Sequence, residues 1–219
     1  MGEFWTLEGI DGAGKSHLLT QLADRHPNAT VVRKDARPPG GSPWSEERLT
    51  TMHRLTWSYN HAEPVWTYPS RYWVHTLAAW YELFHATHVA PEVARDRTVI
   101  VDGWHFKHLA RMKLSGDAAL TSLAERAFSS LPQPDRVVWF PTPAEVAARR
   151  RKGTSKPSEH GAFLTGRATT NPEAFTDYQS RTAQLMDELL HEHSAPVHTL
   201  AADDPTGELV GLLSEEPCP

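Results

Sequence analysis

The stretch that most limits what this chain can become is Gly9-Ile10-Asp11-Gly12-Ala13-Gly14-Lys15-Ser16. It fits the phosphate-binding pattern G-x-x-x-x-G-K-(S/T) at every fixed position, with an apolar run at 4–8 before it and a helix-like segment at 17–23 after it. Glycines let successive backbone N–H groups turn inward, and the helix that follows points its positive end at a phosphate. Gly9, Asp11, Gly12, Ala13, Gly14, Lys15, Ser16 and His17 are therefore the candidate donor-binding residues, with Lys15 reaching the β- and γ-phosphates and the Ser16 hydroxyl holding Mg²⁺. The alternative is a plain glycine turn. A chance match to the bare pattern is common, but a match at the first strand–helix junction is much rarer.

That loop needs a strand and a helix around it, and the rest of the chain supplies more of both. Short apolar, β-branched or aromatic runs at 4–8, 30–33, 98–102, 136–140 and 196–200 read as strands. Between them apolar residues recur every three or four positions, as in Leu120, Leu123, Ala124, Ala127, Phe128 and Leu131, and again in Phe175, Tyr178, Thr182, Leu185 and Leu189. Strands alternating with helices imply a parallel sheet covered on both faces. The expected fold is a three-layer α/β/α single domain over 1–214 with five parallel strands, followed by a disordered tail at 215–219. A net charge of −5 argues against a general nucleic-acid coat, leaving nucleic acid only as an acceptor. No apolar run is long enough for a membrane span, and the one cysteine, Cys218, excludes an internal disulfide; together these point to a cytoplasmic protein. The pairs His85/His88 and His105/His108 have helical spacing but no accompanying carboxylate pattern, so they read as ordinary histidines rather than metal ligands.

Three further groups carry possible chemistry. Asp102 ends an apolar strand, where a carboxylate can sit beside Mg²⁺ or the attacking group; the other reading is a cap on a helix expected from residue 103. Arg149, Arg150, Arg151 and Lys152 precede a glycine- and proline-broken stretch, together forming a lid at 149–161 that suits a mobile segment. Such cations either stabilise a moving phosphoryl group or simply favour a helix C-terminus. The region between the second and third strands is rich in aromatics, mostly core, with one or two free to stack on a planar acceptor. Beside them Arg71 is either an acceptor-phosphate ligand or a surface salt-bridge arginine. Lys107 and Arg111, four apart, share one helix face.

The run from Leu7 to Ser16 resembles the P-loop of the thymidylate kinase family of nucleoside monophosphate kinases, including the acid at Asp11. Arg37-Pro38-Pro39-Gly40-Gly41-Ser42-Pro43 is similar to that family's R-E-P-G-G-T-P loop, with Pro38 in place of the acid. The resemblance implies strand order 2-3-1-4-5, a possible homodimer, ATP with Mg²⁺, and phosphoryl transfer to a nucleotide. It implies a catalytic set of Lys15, Asp102 and the lid residues Arg149, Arg150 and Arg151, with Ser16 and Asp102 at the metal. The lid placement follows from Gly12, as in the subgroup whose catalytic arginine is in the lid. On the acceptor side it implies Asp11, Arg37 and Pro39, to which the residues themselves add Arg71, Tyr81, Lys107 and Arg111 as candidates. Three family features are missing. Gly103 stands where the family carries Arg in D-R-(Y/F), Ala79-Trp80-Tyr81 replaces A-D-R, and 108–116 has no A-Y-Q-G segment. The donor side is kept and the acceptor side rewritten. Either a displaced cation among Lys107, Arg111 and Arg71 serves an acceptor phosphate, or the acceptor is a hydroxyl on a nucleoside, a polynucleotide end or a small metabolite. A further alternative is a non-catalytic ATP-binding regulatory protein.

Overall fold

A computed structural model describes residues 1–26, 29–36, 42–57, 65–166, 171–201 and 203–214. The expected Arg37 and Pro39 contacts and the tail at 215–219 lie outside the described residues. In chain order the elements are β1 Phe4–Glu8, α1 Lys15–Arg25, β2 Thr30–Val32, α2 Pro43–Trp57, α3 Ser70–Phe84, α4 Ala90–Val93, β3 Val99–Val101, α5 Phe106–Leu114, α6 Ala118–Ser129, β4 Arg136–Trp139, α7 Ala144–Arg150, α8 Ala162–Thr165, α9 Pro172–His191, β5 Val197–Thr199 and α10 Pro205–Ser214. All five expected strands form, and they pair in parallel in the order β2-β3-β1-β4-β5.

Strand alternation sorts the core into two layers. Trp5 and Leu7 of β1 join Leu18, Leu19 and Leu22 of α1, Ile100, Val138 and Phe175 on one face. Phe4, Val99, Val101, Val137 and Trp139 join Trp80 and Phe84 of α3, Phe128 of α6 and Met186 of α9 on the other. The aromatic segment is core only in part: Trp80, Tyr81 and Phe84 are fully buried, with Trp80 and Phe84 stacked at 5.4 Å, whereas Trp44 and Tyr68 are exposed. Among the described residues no helix is long and apolar enough to cross a membrane.

One expected boundary is wrong. The helix after Asp102 begins at Phe106, not at residue 103, and Asp102 does not cap it. Gly103 has φ +77°, a left-handed conformation that cannot open a right-handed helix. The turn aims the Trp104 N–H at Oε1 of Glu8, a buried carboxylate at the end of β1 that also accepts from Thr6 at 3.0 Å.

Candidate active site

The C-terminal ends of β1, β2 and β3 open into a cavity of about 690 Å³. Its lining runs from the P-loop through Asp102 to Lys34, His53, Trp57 and Trp104, with Arg150, Arg151 and Lys156 over the opposite edge. All eight P-loop positions expected to bind a donor, from Gly9 to His17, belong to this lining. The Lys15 ammonium donates to the Gly9 carbonyl at 2.7 Å and the Ile10 carbonyl at 3.1 Å, closing the loop on itself. Burial first, and the charge of Lys107 second, make Lys15 easier to deprotonate, while Asp102 and Asp11 oppose them. The Ser16 hydroxyl donates to Oδ2 of Asp102 at 3.0 Å, which brings the two expected metal positions into contact.

Asp11 is the most heavily held acid of the site. Its carboxylate receives Lys107 Nζ at 2.6 Å and the Arg111 guanidinium, both from one face of α5, and the three side chains are 15% exposed. Burial pushes this carboxyl up, but Lys107 and then Arg111 outweigh it and hold it well below the usual carboxylate range. Gln179 of α9 completes the arrangement. It is fully buried, accepts from the Asp11 N–H at 3.1 Å and donates to the Glu159 carbonyl at 2.8 Å. Neither its role nor that of Glu159 was readable in the sequence. The signal was an amide beside the apolar stripe of α9, where Gln179 and Thr182 are both fully buried.

The basic run divides. Arg150 donates to the Ala13 carbonyl of the P-loop, and Arg151 lines the cavity while paired with the Glu159 carboxylate. Arg149 is exposed and is not in the lining. Within the segment 149–161 His160 is also buried, with Asn171 O and Ser155 Oγ as ring partners at 3.0 and 2.9 Å. On the acceptor side, Arg71 is exposed at the start of α3 and lies outside the lining. Tyr81 stands behind the wall, its hydroxyl donating to the Trp104 carbonyl at 2.7 Å. Lys107 lines the cavity, whereas Arg111 is reached only through Asp11. Lys34 and Trp57, missed in the sequence, are both in the lining.

Gly12 shows how tightly the lid sits. At φ +80° a Cβ there would lie 2.7 Å from Arg151 Cγ and 2.9 Å from the Ala147 carbonyl. Arginine can shift, but the α7 backbone cannot without moving the helix. Gly12→Ala is expected to destabilise by about 2 kcal/mol, left-handed strain and crowding together, lowering Tm by roughly 4–8 °C in a domain this size. A melt within 1 °C of the parent would show that α7 does not press on the loop.

A family model described as an AAA domain matches residues 4–171. The thymidylate kinase of Cupriavidus metallidurans is 32% identical over 165 residues, spanning 74% of this chain and 76% of its own length. This chain belongs to the thymidylate kinase-like family of P-loop kinases. A second relative of the family, the thymidylate kinase of Chromobacterium violaceum, is 31% identical over 163 residues, covering 71% of this chain and 70% of that protein. The fold also resembles the crystal structure of thymidylate kinase from Ehrlichia chaffeensis, with a TM-score of 0.59 at 15% identity over 97% of this chain and 98% of that one. Within this thymidylate kinase-like chain the residues fit a magnesium nucleotide. Ser16 and Asp102 offer oxygen donors, which suit a hard cation that keeps waters and phosphate oxygens as its other ligands. Among the described residues no group of three or more His, Cys, Asp or Glu gathers to hold a metal by itself.

Proposed function

We propose that this kinase transfers the γ-phosphoryl group of ATP to a nucleoside monophosphate or a modified nucleotide. The supporting observation is one cavity lined by the P-loop, two lid arginines, Asp102, Lys34 and Trp57 together. In this reading Lys15 and the backbone of residues 9–17 hold the donor phosphates, Ser16 and Asp102 hold Mg²⁺, and Arg150 and Arg151 face the moving group. Bound Mg²⁺ supplies neutralising charge to the β- and γ-phosphates. An acceptor oxygen forms the new bond to phosphorus as the bond to the β–γ bridging oxygen breaks, and the electron pair leaves on ADP. A phosphate acceptor has no proton to lose, whereas a hydroxyl acceptor passes one to Asp102.

One observation favours the hydroxyl alternative: of the three displaced cations expected from the sequence, Lys107 and Arg111 are both engaged by Asp11 and Arg71 lies outside the lining. Radiolabelled ATP offered with nucleoside monophosphates, the matching nucleosides and a 5′-hydroxyl oligonucleotide separates the two, with the monophosphates expected to take the label. If nothing in the panel is labelled, the chain binds nucleotide without catalysing transfer. Asp102→Asn sharpens the distinction. Because Asp102 also holds Mg²⁺ in this reading, the variant is expected to lower turnover of every acceptor, with the lost general base adding about 10²–10⁴ in kcat on a hydroxyl acceptor. Equal losses on a nucleoside and its monophosphate would show that Asp102 deprotonates neither.

A further inference from the structure

Four lysines line the cavity; Lys156 is exposed on the lid side, and two of the other three are accounted for. Lys15 is bonded to carbonyls of its own loop, and Lys107 is paired with Asp11. Lys34, two residues past β2, has no ion-pair partner among the described residues. Its Nζ sits 4.3 Å from the ring centroid of Trp57 and 5.9 Å from that of Tyr81. Aromatic faces fix an ammonium in place but only partly replace the water it has lost. Burial first, and Lys107 second, lower its pKa to about 8, while Asp102 and Glu8 attract it without approaching to ion-pair distance. A half-buried cation held against rings and repelled by a neighbouring lysine lacks an anion.

Its location says where that anion would be. The Lys34 ammonium lies 4.0 Å from where a Cβ on Gly103 would stand, directly after Asp102. It thus stands beside the turn that follows Asp102, in the lining of the same cavity as the phosphate-binding loop.

We propose that Lys34 binds the phosphate of the acceptor, with Trp57 as a positioning residue that holds the ammonium in place. This rests on the kinase reading above and narrows it to acceptors whose accepting oxygen belongs to, or adjoins, a phosphate. A cation here offsets the repulsion between the acceptor's charge and the donor triphosphate as the two approach. It also answers the apparent loss of acceptor cations, because the charge now comes from the segment after β2 rather than from the turn after β3.

Binding without ATP tests this independently of catalysis. The four deoxynucleoside 5′-monophosphates and their parent nucleosides are titrated by calorimetry into the full-length protein. The preferred monophosphate is expected to bind about 10–100-fold more tightly than its nucleoside, as for one charge-assisted contact. Lys34→Met should erase that preference while leaving nucleoside binding within threefold, and Lys34→Arg should restore part of it. Trp57→Leu should weaken monophosphate binding about 3–10-fold, with Trp57→Phe recovering most of the loss because the ring face is kept. A Lys34→Met protein that melts cooperatively and keeps the parent's preference overturns the proposal. Phosphoryl transfer to a nucleoside that binds no worse than its monophosphate also overturns it, yet leaves the kinase intact. Lys34-dependent preference for a monophosphate without any transfer sinks the kinase reading and supports the binding site.

Discussion

Lys15→Met is expected to lower kcat by about 10²–10³ at saturating nucleotide, the effect of removing one preorganised donor from developing phosphoryl charge. The substitution keeps the length and apolar stem of the side chain, so the loss reports the ammonium. Lys15 sits where P-loop geometry aims it, with its head bonded to the Gly9 and Ile10 carbonyls at 2.7 and 3.1 Å. Those contacts position it without neutralising it, and a phosphate can replace them with little motion. ATP affinity is expected to fall in the same variant. Steady-state kinetics with ATP varied, followed by direct nucleotide titration, checks both effects. Turnover within threefold of the parent would break the assignment of the loop as the donor site.

Asp11→Ala should be the most destabilising of the site variants. It removes the carboxylate that neutralises Lys107 and Arg111, leaving two largely buried cations and an unmatched donor on Gln179. Breaking such a pair by deleting one partner costs about 3–5 kcal/mol, and the low end applies because the cavity admits water. About 3 kcal/mol corresponds to a Tm drop of roughly 6–12 °C in a domain of this size. The same carboxylate predicts an acid dependence. Its folded pKa lies below its unfolded value, so its contribution is fully present above about pH 4 and is lost as pH falls through the lower folded value. Asp11→Asn should therefore flatten the stability profile below pH 4 relative to the parent. Parallel profiles for the two proteins would show that Asp11 is not the titrating group.

The strands were legible because each is short and carries apolar, β-branched or aromatic residues, as the covered strands of a parallel sheet must. The P-loop was legible because its chemistry forces glycine, lysine and serine to fixed spacings. Lys107 and Arg111 could be read as neighbours on one helix face, yet their shared partner could not, since Asp11 lies 96 and 100 residues away. The loop from residue 34 to 43 could be placed at the same end of the sheet as Asp102 and the P-loop, but Lys34 could not be singled out within it. Its segment looks like a polar loop, and only the placement of β2 beside β3 sets its ammonium next to Gly103. The misplaced start of α5 came from treating residues 103–105 as helix formers, when a left-handed glycine and a buried acid on β1 govern that turn. Sequence periodicity sees neighbours along an element. It does not see which side chain of a converging loop turns into the site.

The fastening between the P-loop and the segment after α7 also bears on the entropy of nucleotide binding. Residues that order around a ligand each give up roughly 1–2 kcal/mol of backbone freedom. Here Arg150 is bonded to Ala13, Arg151 to Glu159, and Gln179 spans Asp11 and Glu159 before any ligand arrives. That loss of freedom belongs to folding rather than to binding. In the proposed reading the donor meets Arg150 and Arg151 already tied to the loop and to Glu159, so little of its binding enthalpy is expected to be cancelled by ordering of this segment.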